Sequence, residues 1–185
     1  KEFYCDVIAD EAKKMNRMVQ KLLTLNQIEF GNNQVNMERF DITEMIQNMV
    51  EASKILVEKQ GVQIIFDEPE THVWADEFMI EEVVNNYLSN ARNHVTDGGI
   101  IKVSYCQHGK DLRVKVFNTG EDIDKLWVKF YKVDKARTRE YGGSGIGLSI
   151  VEATMKAHGK DYGVTNVEGG VEFFFEVESA DSESE

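Results

Sequence analysis

Apolar residues recur at helical spacing near the start of the chain, where Ile8, Met15, Met18, Val19, Leu22 and Leu25 form one stripe and Gly31-Asn32-Asn33 ends the run. The pattern predicts a long helix over 4–29. Nothing later in the sequence obviously needs that stripe, so the helix is expected to pack on another helix or another subunit. A second helix is predicted from Asp41, with Ile42, Met45, Ile46, Met49, Ser53, Leu56 and Val57 as its buried face and Gly61 as its stop. Asp41 and Glu44 stand three apart, like a capping box with Asp in place of Ser or Thr. A short strand follows at 62–66. Asp76 is the expected N-cap of a third helix reaching about Val95, with Ile80, Val83, Val84, Tyr87, Leu88 and Ala91 facing inward.

The period then changes from helical to alternating. Ile101, Val103 and Tyr105, then Leu112, Val114 and Val116, predict strands over 100–106 and 112–118 joined by a hairpin around Gly109, after a turn at Thr96-Asp97-Gly98-Gly99. Residues 119–142 show no clean period and read as a long loop with one short helical piece, a length that marks function or disorder. A helix from Gly147 to about His158, closed by Gly159, precedes a final hairpin of strands 162–167 and 171–177. The acidic, Ser-rich end, 179–185, is expected to be disordered. Antiparallel strands with helices on one face make an α/β sandwich of the α+β class.

The formal net charge of -12 argues against broad nucleic-acid binding. The chain opens without a signal-peptide pattern and has no apolar run long enough to span a bilayer. Cys5 and Cys106 lack metal-ligand or CxxC spacing and are expected to be reduced core thiols. Charge is uneven: Lys125, Lys129, Lys132, Lys135, Arg137 and Arg139 face only Asp134 and Glu140 between 125 and 140. The stretch reads either as a solvated basic loop or as an anion site.

Four groups of residues carry candidate chemistry. Gly142-Gly-Ser-Gly-Ile-Gly147 opens a helix, where glycines admit close approach and free amides point at an anion. Following the basic stretch, it favours a phosphate site; it is neither a dinucleotide fingerprint nor a Walker motif. Asn86 and Asn90, four apart, share one helix face. They are ordinary amides on spacing alone, or oxygen ligands for a hard cation such as magnesium. Asn118-Thr-Gly120 follows a strand, as an ordinary turn or as a reader of a base edge. Trp127, Phe130 and Tyr131 anchor the long loop, fill a satellite core or form an interface patch. The four histidines have no metal spacing. His94 lies one turn past Asn90 toward the same pocket, and His158 at a helix end is placed where a cation suits the dipole.

In this order the groups resemble the catalytic domain of sensor histidine kinases, a family within the wider ATPases that include gyrase, Hsp90 and MutL. Asn86-Tyr-Leu-Ser-Asn90-Ala resembles the asparagine box, Asn118-Thr-Gly120 the first glycine box, Trp127 to Tyr131 the phenylalanine box, and Gly143-Ser144-Gly145-Ile146-Gly147-Leu148 the second glycine box. Met15 to Leu25 is similar to the second helix of the dimerisation domain, and Phe130 to Arg139 to the ATP lid of the phosphate, vancomycin and cell-wall sensors.

The resemblance implies a two-layer α/β sandwich of the histidine kinase/gyrase/Hsp90 type behind a long N-terminal helix. It divides the chain into a partial dimerisation domain (1–30), a catalytic ATP-binding domain (31–178) and a tail (179–185). It implies ATP and Mg2+ as ligands, with Asn90 on the ion, Asn86 supporting it, Asn118 at adenine, Gly143 to Gly147 at the phosphates, and Lys132, Lys135, Arg137 and Arg139 available for their charge. It further implies phosphoryl transfer to a histidine, a response regulator as partner, a homodimer in the full-length protein, and placement as the cytoplasmic portion of a bacterial membrane protein. The sequence departs from the family in several places. No His precedes His72, so the phosphoacceptor is absent. Asn118 replaces the usual Asp, Asp122 replaces a glycine, and Asn93 stands where many relatives have Lys or Arg. Only six residues separate Gly120 from Trp127, so lid residues near Ile123-Asp124 are either deleted or missing from this sequence. The competing readings are another ATPase or serine kinase of the wider fold, and a degenerate binding module without catalysis.

Overall fold

The computed structural model describes residues 2–30, 35–120 and 146–180, with backbone only at 2–10, 14, 17, 29 and 30. The elements in chain order are α1 (Glu2–Phe30), β1 (Glu38–Asp41), α2 (Ile42–Val57), β2 (Gln63–Ile65), β3 (His72–Ala75), α3 (Glu77–His94), β4 (Ile100–His108), β5 (Asp111–Thr119), α4 (Ile146–His158), β6 (Tyr162–Val167) and β7 (Gly170–Ser179). The caps form as their residues dictate. Asp41 accepts from Thr43 N (2.8 Å) and Glu44 N (3.1 Å), and Asp76 accepts from Met79 N (3.1 Å). Gly61 takes the left-handed conformation (φ 65) just beyond the 3-10 turn that follows α2.

The sheet runs β1-β3-β7-β5-β4-β2, with β6 also beside β7. β7 is its spine. Along one edge β7 pairs with β5 from Gly170 to Glu178; along the other it holds β6 at Gly170 to Phe175 and β3 at Glu178 and Ser179. Helices α2, α3 and α4 supply the second layer, and the apolar face of the sheet closes on them around Ile46, Val73, Leu88, Ile101, Val114 and Phe175. Tyr87 is buried in this core, its ring 5.1 Å from Phe173 and its hydroxyl donating to Phe174 O (3.0 Å).

The α+β sandwich is thus as expected, with several corrections. β1 and β3 were not predicted. β2 pairs with β4 in parallel, not antiparallel. The buried face of α2 is Ile42, Met45, Ile46, Val50, Ser53 and Val57; Leu56 is 66% exposed. Ser53 is satisfied by Arg92 Nη1 at 2.6 Å. Cys106 is exposed rather than a core thiol, and the side chain of Cys5 lies outside the description. Ser179 is a buried strand residue and Ala180 N donates to His72 O (2.9 Å), so order extends into the predicted tail. Residues 181–185 lie outside the described residues.

α1 packs along α4. Its half-buried positions, Lys21, Thr24, Leu25 and Ile28, recur at helical spacing. The predicted stripe therefore splits. Leu25 is half-buried, while Met15 (68%), Met18 (46%), Val19 (51%) and Leu22 (48%) are exposed.

Candidate nucleotide site

β5 alternates strictly, with Leu112, Val114 and Val116 turned toward the helices. Asn118 occupies the next inward position, where an aliphatic side chain would continue the core, and it is only 1% exposed. Its Nδ2 donates to Thr119 O (3.2 Å), which fixes the amide's orientation, and its Oδ1 has no hydrogen-bond partner among the described residues. A buried acceptor left alone costs about 1–3 kcal/mol. A lone amide oxygen fits an N–H donor on a ligand, such as the exocyclic amine of adenine.

The end of β5 is drawn against the end of α3. Thr96 N donates to Thr119 O (3.3 Å) and Ile100 N to Thr119 Oγ1 (2.9 Å). A side chain at Gly120 would place its Cβ 2.8 Å from His94 O and 3.3 Å from Asn118 Nδ2, so glycine is what lets the two segments meet. His94 is half-buried, and burial lowers its imidazole pKa below the ordinary value. The folded chain then holds His94 neutral at pH values where the unfolded chain takes up a proton. Its contribution to stability is present above about pH 6.5 and is lost as pH falls below that. Melting curves at pH 7.5 and 5.5 are expected to show a larger loss for wild type than for His94→Gln. Equal losses would place His94 outside this linkage.

On α3, Asn86 is 3% exposed. Its Nδ2 donates to Glu82 O (2.7 Å), and its Oδ1 accepts from Lys21 Nζ on α1 (3.2 Å). Burial pushes the Glu82 carboxyl up; Lys21 pulls it back and Glu81 adds a further rise. At the start of α4, a Cβ on Gly147 would lie 2.5 Å from Asn86 Oδ1. The structure therefore brings Asn86 and Gly147 together, and Asn118, Gly120 and His94 together. Asn90, half-buried, stands on α3 one turn from both Asn86 and His94. Ile146 and Leu148 are half-buried in the first turn of α4, Leu148 packed against the core. Lys132, Lys135, Arg137, Arg139, Gly143, Ser144, Gly145 and the aromatic group Trp127, Phe130 and Tyr131 lie outside the described residues, as does the short segment near Ile123-Asp124.

Lys21 and Glu82 were not singled out from the sequence. Lys21 sits 65 positions from Asn86, and nothing local announces the contact. His158 proved structural. Its Nδ1 contacts Thr154 O (2.8 Å) and its Nε2 accepts from Asp76 N (3.1 Å), joining the end of α4 to the cap of α3.

Residues 75–181 match the family of histidine kinase-, DNA gyrase B- and HSP90-like ATPases. The chain belongs to that family. The chain is 30% identical over 172 residues to the sensor histidine kinase WalK of Bacillus subtilis, covering 88% of the chain and 28% of that protein. It is 33% identical over 172 residues to the sensor histidine kinase CusS of Escherichia coli, covering 89% of the chain and 35% of that protein. The chain thus spans roughly a third of the curated relatives it matches. The nucleotide-free catalytic domain of histidine kinase ThkA superposes with a TM-score of 0.67 at 27% identity, over 77% of this chain and 95% of that one. Full-length ShkA, solved with AMPPNP, shares the fold over 97% of this chain at a TM-score of 0.78 and 20% identity. The ATPase domain is of the type found in two-component sensor histidine kinases.

Proposed function

We propose that this domain binds Mg-ATP and donates the γ-phosphoryl group to a histidine on a dimerisation domain, for relay to a response-regulator aspartate. The observation that carries the reading is Asn118, a buried amide whose acceptor has no partner among the described residues. It stands at the strand end that adjoins the asparagine-bearing helix. In this reading Asn118 accepts from the adenine amine, with Gly120 and His94 beside it. Asn90 offers its amide oxygen to magnesium, since Asn86 already holds Lys21, and Asn86 fixes the helix face from behind. The bound ion supplies positive charge that screens the phosphates. Gly143 to Gly147 supply amides at the helix start, Ile146 and Leu148 seat that turn, and Lys132, Lys135, Arg137 and Arg139 supply charge. The work of the domain is positioning and electrostatics, as phosphoryl transfer requires.

Residues 1–30 are read as one helix of a dimerisation domain and 31–180 as the catalytic domain, whose last strand ends at Ser179, which leaves 181–185 as the tail. The exposed Met15, Met18, Val19 and Leu22 stripe is what a helical bundle of a homodimer would cover. In the whole protein we place the chain on the cytoplasmic side of a bacterial membrane; none of the described helices is long and apolar enough to cross one.

Calorimetric titration with a non-hydrolysable ATP analogue tests the reading. Binding is expected to strengthen with Mg2+ and to lose that dependence in Asn90→Ala. A folded wild type that binds no nucleotide, or an Asn90→Ala variant with unchanged magnesium dependence, overturns it. The first result favours the degenerate, protein-binding alternative.

A further inference from the structure

A second constellation lies at the opposite end of the sheet. Asp41 closes β1, His72 opens β3, and the two are direct cross-strand partners. Glu70 comes from the loop just before β3. One ligand atom from each of the three residues falls within 4.8 Å of the others. Among the described residues no other group of three His, Cys or carboxylate side chains converges in this way. On β7, Ser179 lies beside β3 and Val171 beside Asn118. That separation of eight residues is roughly 27 Å at strand rise, so the group is remote from the nucleotide site.

We propose that Asp41, Glu70 and His72 form a binding site for a divalent first-row transition metal ion of the zinc type. The inference stands independently of the nucleotide reading. The donor set selects the ion: one imidazole with two carboxylates suits zinc and its neighbours, whereas magnesium and calcium prefer oxygen alone. Metal–ligand bonds of about 2.0–2.2 Å draw ligand atoms to roughly 3.5 Å from one another. A short closure achieves this, and the exposed Glu70 side chain is free to swing.

The frame around the ligands is rigid. Strand register holds Asp41 opposite His72. The cap bonds from Thr43 N and Glu44 N fix the Asp41 carboxylate, as outer hydrogen bonds fix the carboxylates of known metal sites. The loop bearing Glu70 is held by Thr43 Oγ1 and Thr71 Oγ1, both donating to Pro69 O (2.7 and 2.9 Å). Glu68, whose Oε1 accepts from Tyr105 N (3.1 Å), is not one of the converging side chains. The positive end of α2 opposes a cation at Asp41 only weakly, and two carboxylates outweigh that. An ion here would pin the edge strand β1, the start of α2 and the loop before β3 into one unit.

The test is calorimetric titration of the chain with Zn2+ in excess Mg2+, with the four imidazoles followed in parallel by NMR. The expected result is one Zn2+ per chain, with His72 perturbed before His94, His108 and His158. Asp41→Asn keeps a capping side chain while removing a charged ligand. It and His72→Gln are each expected to weaken Zn2+ binding at least about tenfold, the minimum expected from losing even an outer partner. Zn2+ binding unaltered by both variants overturns the proposal. So does a first perturbation at another histidine, or an absence of binding by the wild type. If a variant fails to fold, the wild-type NMR order of perturbation decides by itself.

Discussion

Arg113→Ala is expected to lower the stability of the domain by about 3 kcal/mol, the lower end of what breaking a buried ion pair costs. Glu176 points to the face of the sheet away from the helices and is only 4% exposed. Arg113, its neighbour across the β5–β7 ladder, donates to Glu176 Oε1 from Nε (2.9 Å) and Nη2 (2.6 Å). The guanidinium also lies over the Phe174 ring, 4.5 Å from its centroid. Removing Arg113 leaves a carboxylate in a place water barely reaches. His108, whose Nδ1 is 2.6 Å from the same carboxylate oxygen, offsets part of the loss and keeps the figure at the low end. The reverse change is milder. The Arg113 side chain is 26% exposed, so Glu176→Ala leaves a cation that water can solvate. Urea melts of the two single variants and the double variant check this. If Glu176→Ala is as damaging as Arg113→Ala, the asymmetry argued from burial is wrong.

Gly170→Ala is expected to cost about 3 kcal/mol, at the upper end of overpacking, and to weaken nucleotide binding with it. A Cβ at Gly170 would lie 2.1 Å from Asn118 O, 2.9 Å from Asn118 C and 2.8 Å from Phe117 Cε2. Backbone atoms cannot swing aside as a side-chain tip can, so β5 and β7 must part where Asn118 is held. Melting temperature and nucleotide titration are expected to fall together. A variant that melts as wild type does would show the ladder to be loose at that end.

Much of this architecture was legible in the sequence, and the failures have physical causes. α3 was read nearly to its ends because Asp76 caps it and its buried face keeps one period. β1 and β3 were missed because each has four residues, and Glu38-Arg39-Phe40-Asp41 and His72-Val73-Trp74-Ala75 are too short to display alternation. Both are strands because of partners far along the chain. The parallel pairing of β2 with β4 was missed for the same reason, since its contacts cross all of α3. Leu56, three positions after Ser53, fits a helical period as well as Val57 does, but burial follows Val50, Ser53 and Val57 and leaves Leu56 on the exposed side.

In the site, Asn118 was marked by its place at a strand end. Its burial was also available, because it continues the phase of Leu112, Val114 and Val116. The Lys21–Asn86 contact was not available, as it depends on how α1 lies on α4. The Asp41, Glu70 and His72 group was hidden likewise, because it needs the pairing of β1 with β3.

The position of β7 sets the order in which the sandwich can be assembled. This strand joins β3 and β6 to β5, yet it is synthesised after every other strand of the sheet. While the chain emerges from the ribosome, β1 with β3 and β2 with β4 and β5 are separate pieces with open edges. Such edges invite pairing with other chains. The site end of β5, already beside β4, acquires its second neighbour only when Gly170 and Val171 arrive. Nucleotide binding is therefore a late event in the life of each chain, after nearly all of this domain has been made.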